Sequence, residues 1–504
     1  MRCARMFILQ CCFFFTISAA VFCAGATAST QYILKTLVNF NATDGAGPDA
    51  NLIADSSGNL YGTTVFGGTA DAGTVFEVAN NANHTLSTLA TFNGTNGGFP
   101  EAGLIADGNG NLFGTTNQHG AGALDDGTVF EVANNANHTL STLVTFTGAN
   151  GAGPNASLTS DSSGNLYGTT SGLGYNSSNT GTVFEVAAGT HKLTTLVTFN
   201  GANGTGAYPY AGMIADSSGN LYGTTSGGGA NSDGTVFKVA AGTHKLSTLV
   251  TFNGANGAFP ESVLIADASG NLYGTTRGGG ANGDGTVFEV AASTHTLSTL
   301  VTFNGTNGNQ PYASLIADAS GNLYGTTGSG GANGDGTVFE IAAGTHTLTT
   351  LVTFNGTNGQ QPYASLIADA SGNLYGTSNT GGSNNDGTLF ELSPLRAGDF
   401  NLDGQIGAAD IPAMEQALAN MSAYQTANGL SAAQFLALGD LNGDGVVNNA
   451  DLQELSNLLQ SGAGSSAPVP EPASWILLLV GIIGSLSISQ VLMRITRRSG
   501  FGTD

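Results

Sequence analysis

The sequence predicts an all-β protein, a seven-bladed β-propeller, followed by a small α-helical domain and one C-terminal transmembrane helix. Three observations lead to this prediction. A phrase of the type S-G-N-L-Y-G-T-T occurs seven times, at intervals of 51 to 55 residues, and a period near that length is typical of propellers and repeat arrays. The array begins with an unmatched strand and ends one strand short. Two Asp-rich 12-residue loops and an uncharged 18-residue run follow it.

Each repeat predicts four short antiparallel strands. In the repeat that begins at Ala313 the strand segments are ASLIAD, NLYGTT, GTVFEIA and TLTTLVTF, separated by turns rich in Gly and Asn. Segments rich in Val, Thr, Leu, Tyr and Phe between such turns indicate strands, and four of them match one propeller blade. Glycine in mid-strand often marks a close approach. We therefore expect Gly62 and its equivalents to admit an aromatic ring from the neighbouring blade.

The ends of the array predict how the ring closes. The seventh repeat stops after its third strand, GTLFELS, whereas the array opens on YILKTLVNF, a fourth strand that lacks the other three. We expect this N-terminal strand to complete the last blade, because closure leaves no exposed sheet edge. The propeller is therefore assigned to residues 31–395. An open β-solenoid is the alternative, and it would not need offset ends.

Strand order places the loops on two faces. The first-to-second and third-to-fourth turns share one face, here called the repeating face, which is built from D-x-S-G-N and A-x-T-H turns. We expect its Asp, Asn and His residues to hold the turns, because local turn chemistry already explains these positions. The histidines at one repeated position of this face are His84, His138, His191, His244, His295 and His346.

The second-to-third and fourth-to-first loops share the other face, here called the variable face, because they differ between repeats. Binding residues favour such loops on a rigid scaffold. The candidate ligand-binding residues are Glu101, His119, Tyr175, Tyr208, Tyr210, Glu261, Arg277, Tyr312 and Tyr363. Aromatic rings stack on sugar faces and amides bind hydroxyls, so we expect a glycan or exopolysaccharide ligand. The alternative is that pairs such as Pro311-Tyr312 only cover strand ends.

No catalytic constellation is identified in the sequence, which lacks a G-x-S-x-G elbow and a His-x-x-x-His pair. Glu101 and Glu261 could still approach across the channel as paired carboxylates. An extracellular carbohydrate-active enzyme, a hydrolase or lyase, therefore stays open beside a non-enzymatic binding protein.

The charge of the chain excludes one class of partner. Residues 29–470 hold six lysines and arginines but 32 acidic residues, a net charge of −26. Such a surface repels nucleic acid. It favours cations and neutral glycans.

The first 28 residues predict a signal peptide. Arg2 and Arg5 precede an apolar run, and Ala26-Thr27-Ala28 offers a small-x-small cleavage site. Lipidation at Cys23 is the alternative. All four cysteines lie in this segment, so the mature protein would contain none, which suits an exported protein with a large core.

Residues 398–460 predict a domain that binds two Ca²⁺ ions. Its loops, DFNLDGQIGAAD and DLNGDGVVNNAD, place side-chain oxygens at positions 1, 3 and 5, Gly at 6 and a carboxylate at 12. The expected ligands are Asp399, Asn401, Asp403, Asp410 and the Gln405 carbonyl in one loop, and Asp440, Asn442, Asp444, Asp451 and the Val446 carbonyl in the other. Position 12 carries Asp instead of the bidentate Glu of standard EF-hands.

A linker, residues 461–468, leads to a C-terminal membrane signal over residues 469–499. Residues 476–493 carry no formal charge and are long enough to span a bilayer. Arg494, Arg497 and Arg498 follow, and by the positive-inside rule they stay cytoplasmic, which places the body of the protein outside.

Three resemblances accompany these patterns. The repeat phrase, with its following G-T-V-F-E, resembles the GloVer tandem repeat of exported bacterial proteins over about 360 residues, which implies export and anchoring and no known activity.

Pro470-Glu471-Pro472, the apolar run and Arg497-Arg498 resemble a PEP-CTERM sorting signal, which implies processing by an exosortase-type enzyme. An ordinary C-terminal anchor is the alternative. Both place the protein at the cell envelope or cell surface, and processing would allow release to the matrix.

The two Asp-rich loops, each followed by an apolar-striped helix, resemble a type I dockerin. This implies bound calcium and a cohesin-like partner. The loops begin 41 residues apart, with an additional helix-like segment SAAQFLAL between them, which is longer than the usual dockerin spacer. Positions 10 and 11, where dockerins often recognise their partner, are Ala408-Ala409 and Asn449-Ala450. Docking to a cohesin is therefore left open.

Overall fold

The computed structural model of the chain describes residues 31–120, 126–172, 180–201 and 205–462. The predicted signal peptide, most of the predicted linker and the predicted sorting signal with its transmembrane helix lie outside these residues. Within them, no helix combines the length and apolar character needed to cross a bilayer.

Seven four-stranded antiparallel sheets form the blades, one for each repeat, which confirms the predicted seven-bladed propeller. In blades 1 to 4 and the strand before them, the bounds are β1 Tyr32–Asn39, β2 Ile53–Ala54, β3 Leu60–Thr64, β4 Thr74–Val78, β5 Leu86–Thr91, β6 Ile105–Ala106, β7 Leu112–Thr116, β8 Thr128–Val132, β9 Leu140–Thr145, β10 Thr159–Ser160, β11 Leu166–Thr170, β12 Thr182–Val186, β13 Leu193–Thr198, β14 Gly206–Ala207, β15 Ile214–Ala215, β16 Leu221–Thr225, β17 Gly227–Gly228, β18 Thr235–Val239 and β19 Leu246–Thr251. Strands β14 and β17 form a separate two-stranded ribbon beside blade 4.

The remaining strands build blades 5 to 7, and four helices follow in the described part of the chain. The strands are β20 Ile265–Ala266, β21 Leu272–Thr276, β22 Thr286–Val290, β23 Leu297–Thr302, β24 Ile316–Ala317, β25 Leu323–Thr327, β26 Thr337–Ile341, β27 Leu348–Thr353, β28 Ile367–Ala368, β29 Leu374–Ser378 and β30 Thr388–Pro394. The helices are α1 Asp410–Ala419, α2 Met421–Ala427, α3 Ala432–Gly439 and α4 Asn449–Gln460.

The N-terminal strand closes the ring as predicted. Strand β1 pairs antiparallel with β30 from Tyr32 opposite Pro394 to Asn39 opposite Thr388, with a register shift between Thr36 and Val38. The last blade therefore has the order β1-β30-β29-β28. Because the first and last strands of the propeller pair in one sheet, backbone hydrogen bonds close the ring and no blade is left with three strands.

The turn of the repeated phrase stabilises the repeating face. In blade 1 the Asp55 carboxylate accepts hydrogen bonds from the backbone N–H groups of Ser57 (2.8 Å) and Asn59 (2.9 Å). Gly58 has a φ of +80°, which favours glycine. The Asn59 Oδ1 accepts a bond from the Asn80 backbone N–H at 2.9 Å and so ties the two turns of the blade together. These turn residues have the structural role that the sequence predicted.

The glycine of the phrase admits an aromatic ring from its own blade, so the prediction that the ring comes from the neighbouring blade is wrong. A Cβ atom at Gly62 would lie 2.6 Å from Cζ of Phe76, which stands directly opposite on the third strand. The neighbouring blade instead contributes a ring that packs against Phe76. Phe40, which follows the fourth strand of blade 7, packs edge-on against Phe76 with ring centroids 5.0 Å apart. Gly62 and Phe76 are paired on adjacent strands of one blade, so the Phe76 ring covers the glycine.

The two threonines of the phrase bond in different directions. The Thr63 hydroxyl donates to the carbonyl of Ala102 in the next blade at 3.1 Å, and the Thr64 hydroxyl bonds to Thr74 within the blade at 2.8 Å. The bond to the next blade recurs at Thr115, Thr169, Thr224, Thr275 and Thr326. In the last blade the buried Thr377 Oγ1 has no hydrogen-bond partner among the described residues. The junction at which the ring closes therefore differs from the other six.

The helical region packs against the closing strand. Its core contains Phe400, Met414, Ala417, Leu430, Phe435, Leu438, Val447 and Leu455, and Ile33 and Leu395 of the propeller pack against this core. The Gln434 Nε2 on α3 donates to the backbone carbonyl of Tyr32 at 2.9 Å. Helix α3 corresponds to the additional SAAQFLAL segment of the sequence. The segment that lengthens the spacer between the two Asp-rich loops thus contacts the propeller.

Candidate functional site

Seven residues on the variable face form a ring around the propeller axis, here called the mouth ring. Each directly follows the proline of a fourth-to-first loop and is part-buried: Asp49, Glu101, Asn155, Tyr210, Glu261, Tyr312 and Tyr363. Two residues further along, neighbouring blades touch each other. The Ser314 N–H donates to Ser365 Oγ at 2.9 Å, and the Ser365 N–H donates to Asn51 Oδ1 at 2.8 Å. These contacts link blade 6 to blade 7 and blade 7 to blade 1.

Second-to-third loops supply polar partners for the carboxylates of the mouth ring. The partners are Asn379 for Asp49, Asn117 for Glu101 (Nδ2 to Oε1, 2.9 Å) and Arg277 for Glu261 (Nη1 to Oε1, 3.9 Å). Because each partner belongs to a loop that varies, the repeats differ here in charge and in hydrogen-bonding capacity. The Oδ1 of Asn155 is buried without a hydrogen-bond partner among the described residues.

The ionisable groups of the mouth ring influence one another. Burial, opposed by the bond from Asn379 and reinforced by the charge of Glu101, raises the pKa of Asp49 to about 7. Burial likewise raises the pKa values of Glu101 and Glu261. The pKa of the Tyr210 phenol is raised by burial first and then by the charge of Glu261. Burial is thus the main cause of the raised pKa values in the mouth ring, and neighbouring carboxylate charges add to it at Asp49 and Tyr210.

Aromatic side chains surround the same mouth. Tyr312 and Tyr363 pack edge to face with ring centroids 5.0 Å apart. The Arg277 guanidinium carbon lies 5.7 Å from the Tyr312 ring centroid and 5.4 Å from that of Phe259, a cation–π geometry. Within the described part of the propeller, the exposed large apolar side chains are Phe66, Tyr208 and Phe259, and all lie on the variable face.

The residue before each proline of these loops adopts a left-handed backbone conformation. The φ values lie between +57° and +65° at Gly47, Phe99, Gly153, Tyr208, Phe259, Gln310 and Gln361. Five of the seven are not glycine, and such residues rarely adopt this conformation. Backbone bonds hold it; in blade 2, for example, the N–H of Phe99 donates to Ala72 and its carbonyl accepts from Asn117. The repeated histidines of the repeating face also have positive φ values, between +44° and +53°, so this conformation does not by itself distinguish the variable face.

The structure brings together some of the predicted ligand-binding residues. Glu101, Tyr210, Glu261, Tyr312 and Tyr363 belong to the mouth ring, and Arg277 lies beside it. His119 lies further out, with its ring centroid 5.2 Å from that of Phe99. Tyr208 is exposed, and Tyr175 lies outside the described residues.

Sequence reasoning missed several residues of this face. They are Asp49, Asn155, Phe66, Phe99, Asn117, Phe259 and Asn379. The position after the repeated proline is visible in the sequence and would have identified Asp49 and Asn155 as equivalents of the predicted residues. The phenylalanines and amides have no such marker, because their role depends on which loops meet.

The two Asp-rich loops have matching hydrogen-bond patterns. Asp399 accepts bonds from the N–H groups of Asp403 (3.2 Å) and Gly404 (2.9 Å), and Asp440 accepts the equivalent bonds from Asp444 (3.0 Å) and Gly445 (2.8 Å). Each loop also ends on a buried carboxylate that bonds to the loop backbone, at Asp410 and at Asp451. The carboxylates and amides at positions 1, 3, 5 and 12 are thus held by a common loop fold.

The first loop places carboxylates close together. Burial, with added repulsion from the charges of Asp410 and Asp403, raises the pKa of Asp399 to about 6. Mutual repulsion between carboxylates is what a bound divalent cation would relieve. The described residues contain no group of three or more His, Cys, Asp or Glu side chains arranged to hold a metal ion. The predicted ligand sets also use Asn401, Asn442 and backbone carbonyls, so their donors fit Ca²⁺ by chemical type.

Comparisons with known proteins identify both parts of the chain. The family model of the Gloeobacter/Verrucomicrobia repeat matches residues 21–215 and 209–402. The model of the type I dockerin domain matches residues 397–460. Type I dockerins typically bind calcium, imply a cohesin-type partner and suggest an extracellular location. No curated protein is similar enough to match this chain.

Several solved structures resemble the backbone. The extracellular domain of a hybrid two-component system from B. thetaiotaomicron is 13% identical with a TM-score of 0.49, over 71% of this chain and 39% of that one. An oligogalacturonate lyase in complex with manganese is 13% identical with a TM-score of 0.48, over 73% and 94%. A fungal alcohol oxidase in complex with copper is 14% identical with a TM-score of 0.49, over 73% and 76%.

The chain thus spans 39% of the length of the first of these proteins. Similarity at this level indicates neither a shared ligand nor a shared activity. The family matches are more specific, and they cover the blades and the helical region in turn. The chain belongs to the Gloeobacter/Verrucomicrobia repeat family, and it carries a type I dockerin domain after its propeller.

Proposed function

We propose that this is an exported, surface-anchored, non-enzymatic protein that binds a glycan of the extracellular matrix through the mouth ring. The calcium-binding domain acts as a stalk. The predicted signal peptide and the predicted PEP-CTERM segment, which implies an exosortase-type processing enzyme, supply export and anchoring. A cohesin-type partner remains a second point of attachment through the dockerin domain.

The mouth ring is the observation that carries this proposal. It combines edge-to-face tyrosines, part-buried carboxylates with polar partners and a buried Asn155 oxygen without a partner among the described residues. This combination suits a neutral glycan, because such a ligand presents an apolar sugar face for aromatic rings and hydroxyls for polar groups. The exposed aromatics of the same face extend the contact beyond the mouth.

A glycan array tests the binding role. We expect the full chain to bind at least one neutral or weakly charged glycan. Tyr312→Ala combined with Tyr363→Ala should weaken that binding about tenfold, because two stacking faces are lost. His191→Asn on the repeating face is the control and should leave binding unchanged, since Asn tolerates a positive φ. Equal binding by both variants would place the site elsewhere.

A polysaccharide hydrolase or lyase is a second candidate, and one observation favours it. Asp49 has a raised pKa of about 7 and lies within electrostatic reach of Glu101, and a carboxyl group that titrates near neutrality beside a second carboxylate suits acid–base catalysis. Turnover of a glycan that binds on the array, lost in Asp49→Asn, would support the enzyme and refute the non-enzymatic proposal.

We propose that the dockerin domain holds two Ca²⁺ ions through the predicted ligands of its loops. Each ion would neutralise carboxylates that otherwise repel one another and so stabilise the loop and its following helix.

Isothermal calorimetry with Ca²⁺ is expected to show about two sites per chain. Asp403→Ala combined with Asp444→Ala should abolish both, because each removes the position-5 carboxylate of its loop. Glu415→Ala combined with Glu454→Ala removes two exposed charges from the adjoining helices and should keep both sites. Unchanged calcium binding in the aspartate variant would refute the ligand assignment.

A further inference from the structure

A groove of about 370 Å³ lies on the repeating face between blades 5 and 6, on the side opposite the mouth ring. Pockets for small molecules begin at about 300 Å³. The walls of the groove include Ile265, Tyr273, Leu300, Asp318, Ile341 and His346. They combine apolar surface with a phenol, a carboxylate and an imidazole, and the proposed function does not use them.

The chain itself fills the equivalent groove between blades 6 and 7. Tyr32 on the closing strand stands where the other blades have their repeated histidine; it precedes Phe40 by eight residues, as His346 precedes Phe354. The Tyr32 side chain is buried, with 7% exposure, and lies in one buried cluster with Tyr324.

The surroundings of Tyr32 match the walls of the open groove. Tyr32 shares a buried cluster with Tyr324, and Ile316 and Leu351 pack against that cluster. Ile316, Tyr324 and Leu351 correspond in the repeat to Ile265, Tyr273 and Leu300. Among the tyrosines at this position of the phrase, Tyr324 is buried, with 8% exposure. The others, which remain half-buried, are Tyr61, Tyr167, Tyr222, Tyr273 and Tyr375. Tyr32 therefore acts as a plug that occupies a site left open between blades 5 and 6.

We propose that the groove between blades 5 and 6 binds a ligand with a hydroxyaryl ring, such as a free phenol or a tyrosyl group. The ring would pack against Ile265 and Leu300, which line the groove, as Tyr32 packs in the cluster that Ile316 and Leu351 adjoin. The Tyr273 hydroxyl donates to Asp267 Oδ2 at 3.3 Å, so its oxygen can accept a bond from the ligand hydroxyl. The Tyr324 hydroxyl has the equivalent arrangement in the filled groove, since it donates to Asp318 Oδ2 at 3.3 Å.

Two other grooves lack part of this arrangement. Blade 2 has Phe113 in place of the tyrosine and offers no hydroxyl. In blade 4 the Lys238 ammonium lies 5.2 Å from the Tyr222 ring centroid and covers its face. The groove between blades 5 and 6 combines an open volume with the Tyr273 hydroxyl.

Methyl NMR of the full chain, labelled at its isoleucine δ1 methyl groups, tests the proposal. N-acetyl-L-tyrosinamide and p-cresol are titrated separately, and N-acetyl-L-phenylalaninamide serves as the analogue without a hydroxyl. The Ile265 methyl signal should shift saturably with at least one hydroxyaryl probe, and about fivefold more weakly with the phenylalanine analogue. The Ile316 signal should not move, because Tyr32 fills its groove. A response to p-cresol alone would identify free phenols as the ligands, and a response to both probes would include tyrosyl groups.

A matched pair of variants completes the test. Tyr273→Phe should reduce the affinity for the hydroxyaryl probe to that for the phenylalanine analogue, whereas Tyr324→Phe, the same change in the plugged groove, should not alter it. Tyr32→Ala should make the Ile316 signal respond as well. The proposal is overturned if Ile265 does not respond, if Ile316 responds equally in the unmodified chain, or if both tyrosine variants weaken binding alike.

Discussion

Gly274→Val is expected to lower the free energy of unfolding of the propeller by about 3 kcal/mol or more. A Cβ atom at this position would lie 2.7 Å from Cζ of Phe288 and 3.0 Å from Cδ2 of Leu264. Both neighbours are fully buried, so neither can move without disturbing the next blade. The melting temperature in calorimetry, at saturating Ca²⁺, measures the effect.

Gly108→Ala is the control for this substitution. Gly108 lies in a turn of the repeating face, where an added Cβ would meet nothing within 4 Å, and blade 1 has Ser56 at the same position. Its melting temperature should stay within about 1 °C of that of the unmodified chain, as surface substitutions usually do. An unchanged melting temperature for Gly274→Val would contradict the account of the repeated glycine.

Asp49→Asn is expected to remove a pH dependence from the stability of the propeller. The folded state raises the pKa of Asp49 to about 7, so folding favours the protonated carboxyl. The stability that the protonated Asp49 carboxyl contributes to the folded state is fully present below about pH 4, the pKa range of an unfolded Asp. It is lost as the pH rises through about 7. We expect the unmodified chain to lose about 2 kcal/mol over this range, after allowance for the remaining contact of Asp49 with water.

The asparagine variant should lack this loss, because it keeps an oxygen that accepts the bond from Asn379 but does not ionise. Blade 3 already carries Asn155 at the same position. Calorimetric scans between pH 5 and pH 8, at constant saturating Ca²⁺, compare the two proteins. A parallel pH dependence in both would show that Asp49 does not titrate in this range.

Asp55→Asn is a control of opposite sign. Burial raises the pKa of Asp55, but the hydrogen bonds from Asn59 and Ser57 outweigh it and hold the pKa below its usual value. The Asp55 contribution is therefore present above about pH 4 and lost as the pH falls through its lowered pKa. The variant should be less stable than the unmodified chain across the whole scan.

The repeated phrase determined most of the blade from sequence alone. Its Asp, Gly and Asn form a local turn, and its alternating residues form a strand, because turn chemistry and strand pairing depend on residues close in the chain. The unmatched strand at one end and the missing strand at the other then required closure by β1 and β30. The Ca²⁺ loops were equally local, since all their predicted ligands fall within 12 residues.

Contacts between blades were not determined by the sequence. The glycine was predicted to face a neighbour's ring, but the cross-strand partner within its own blade, Phe76, occupies that space. The prediction took into account the sheet face on which the glycine lies but not the register of the strands. The register determines which residue of the adjacent strand stands opposite the glycine.

Short-range patterns and the count of repeats were enough to predict the number of blades, the closure of the ring, the two faces and the type I dockerin domain. The tertiary structure decided which side chains meet. It brought Asp49 into electrostatic reach of Glu101, seated α3 on the closing strand and put Tyr32 into a groove that stays open between blades 5 and 6. Residues hundreds of positions apart become neighbours only when the ring closes, and no local pattern in the sequence reveals their distances.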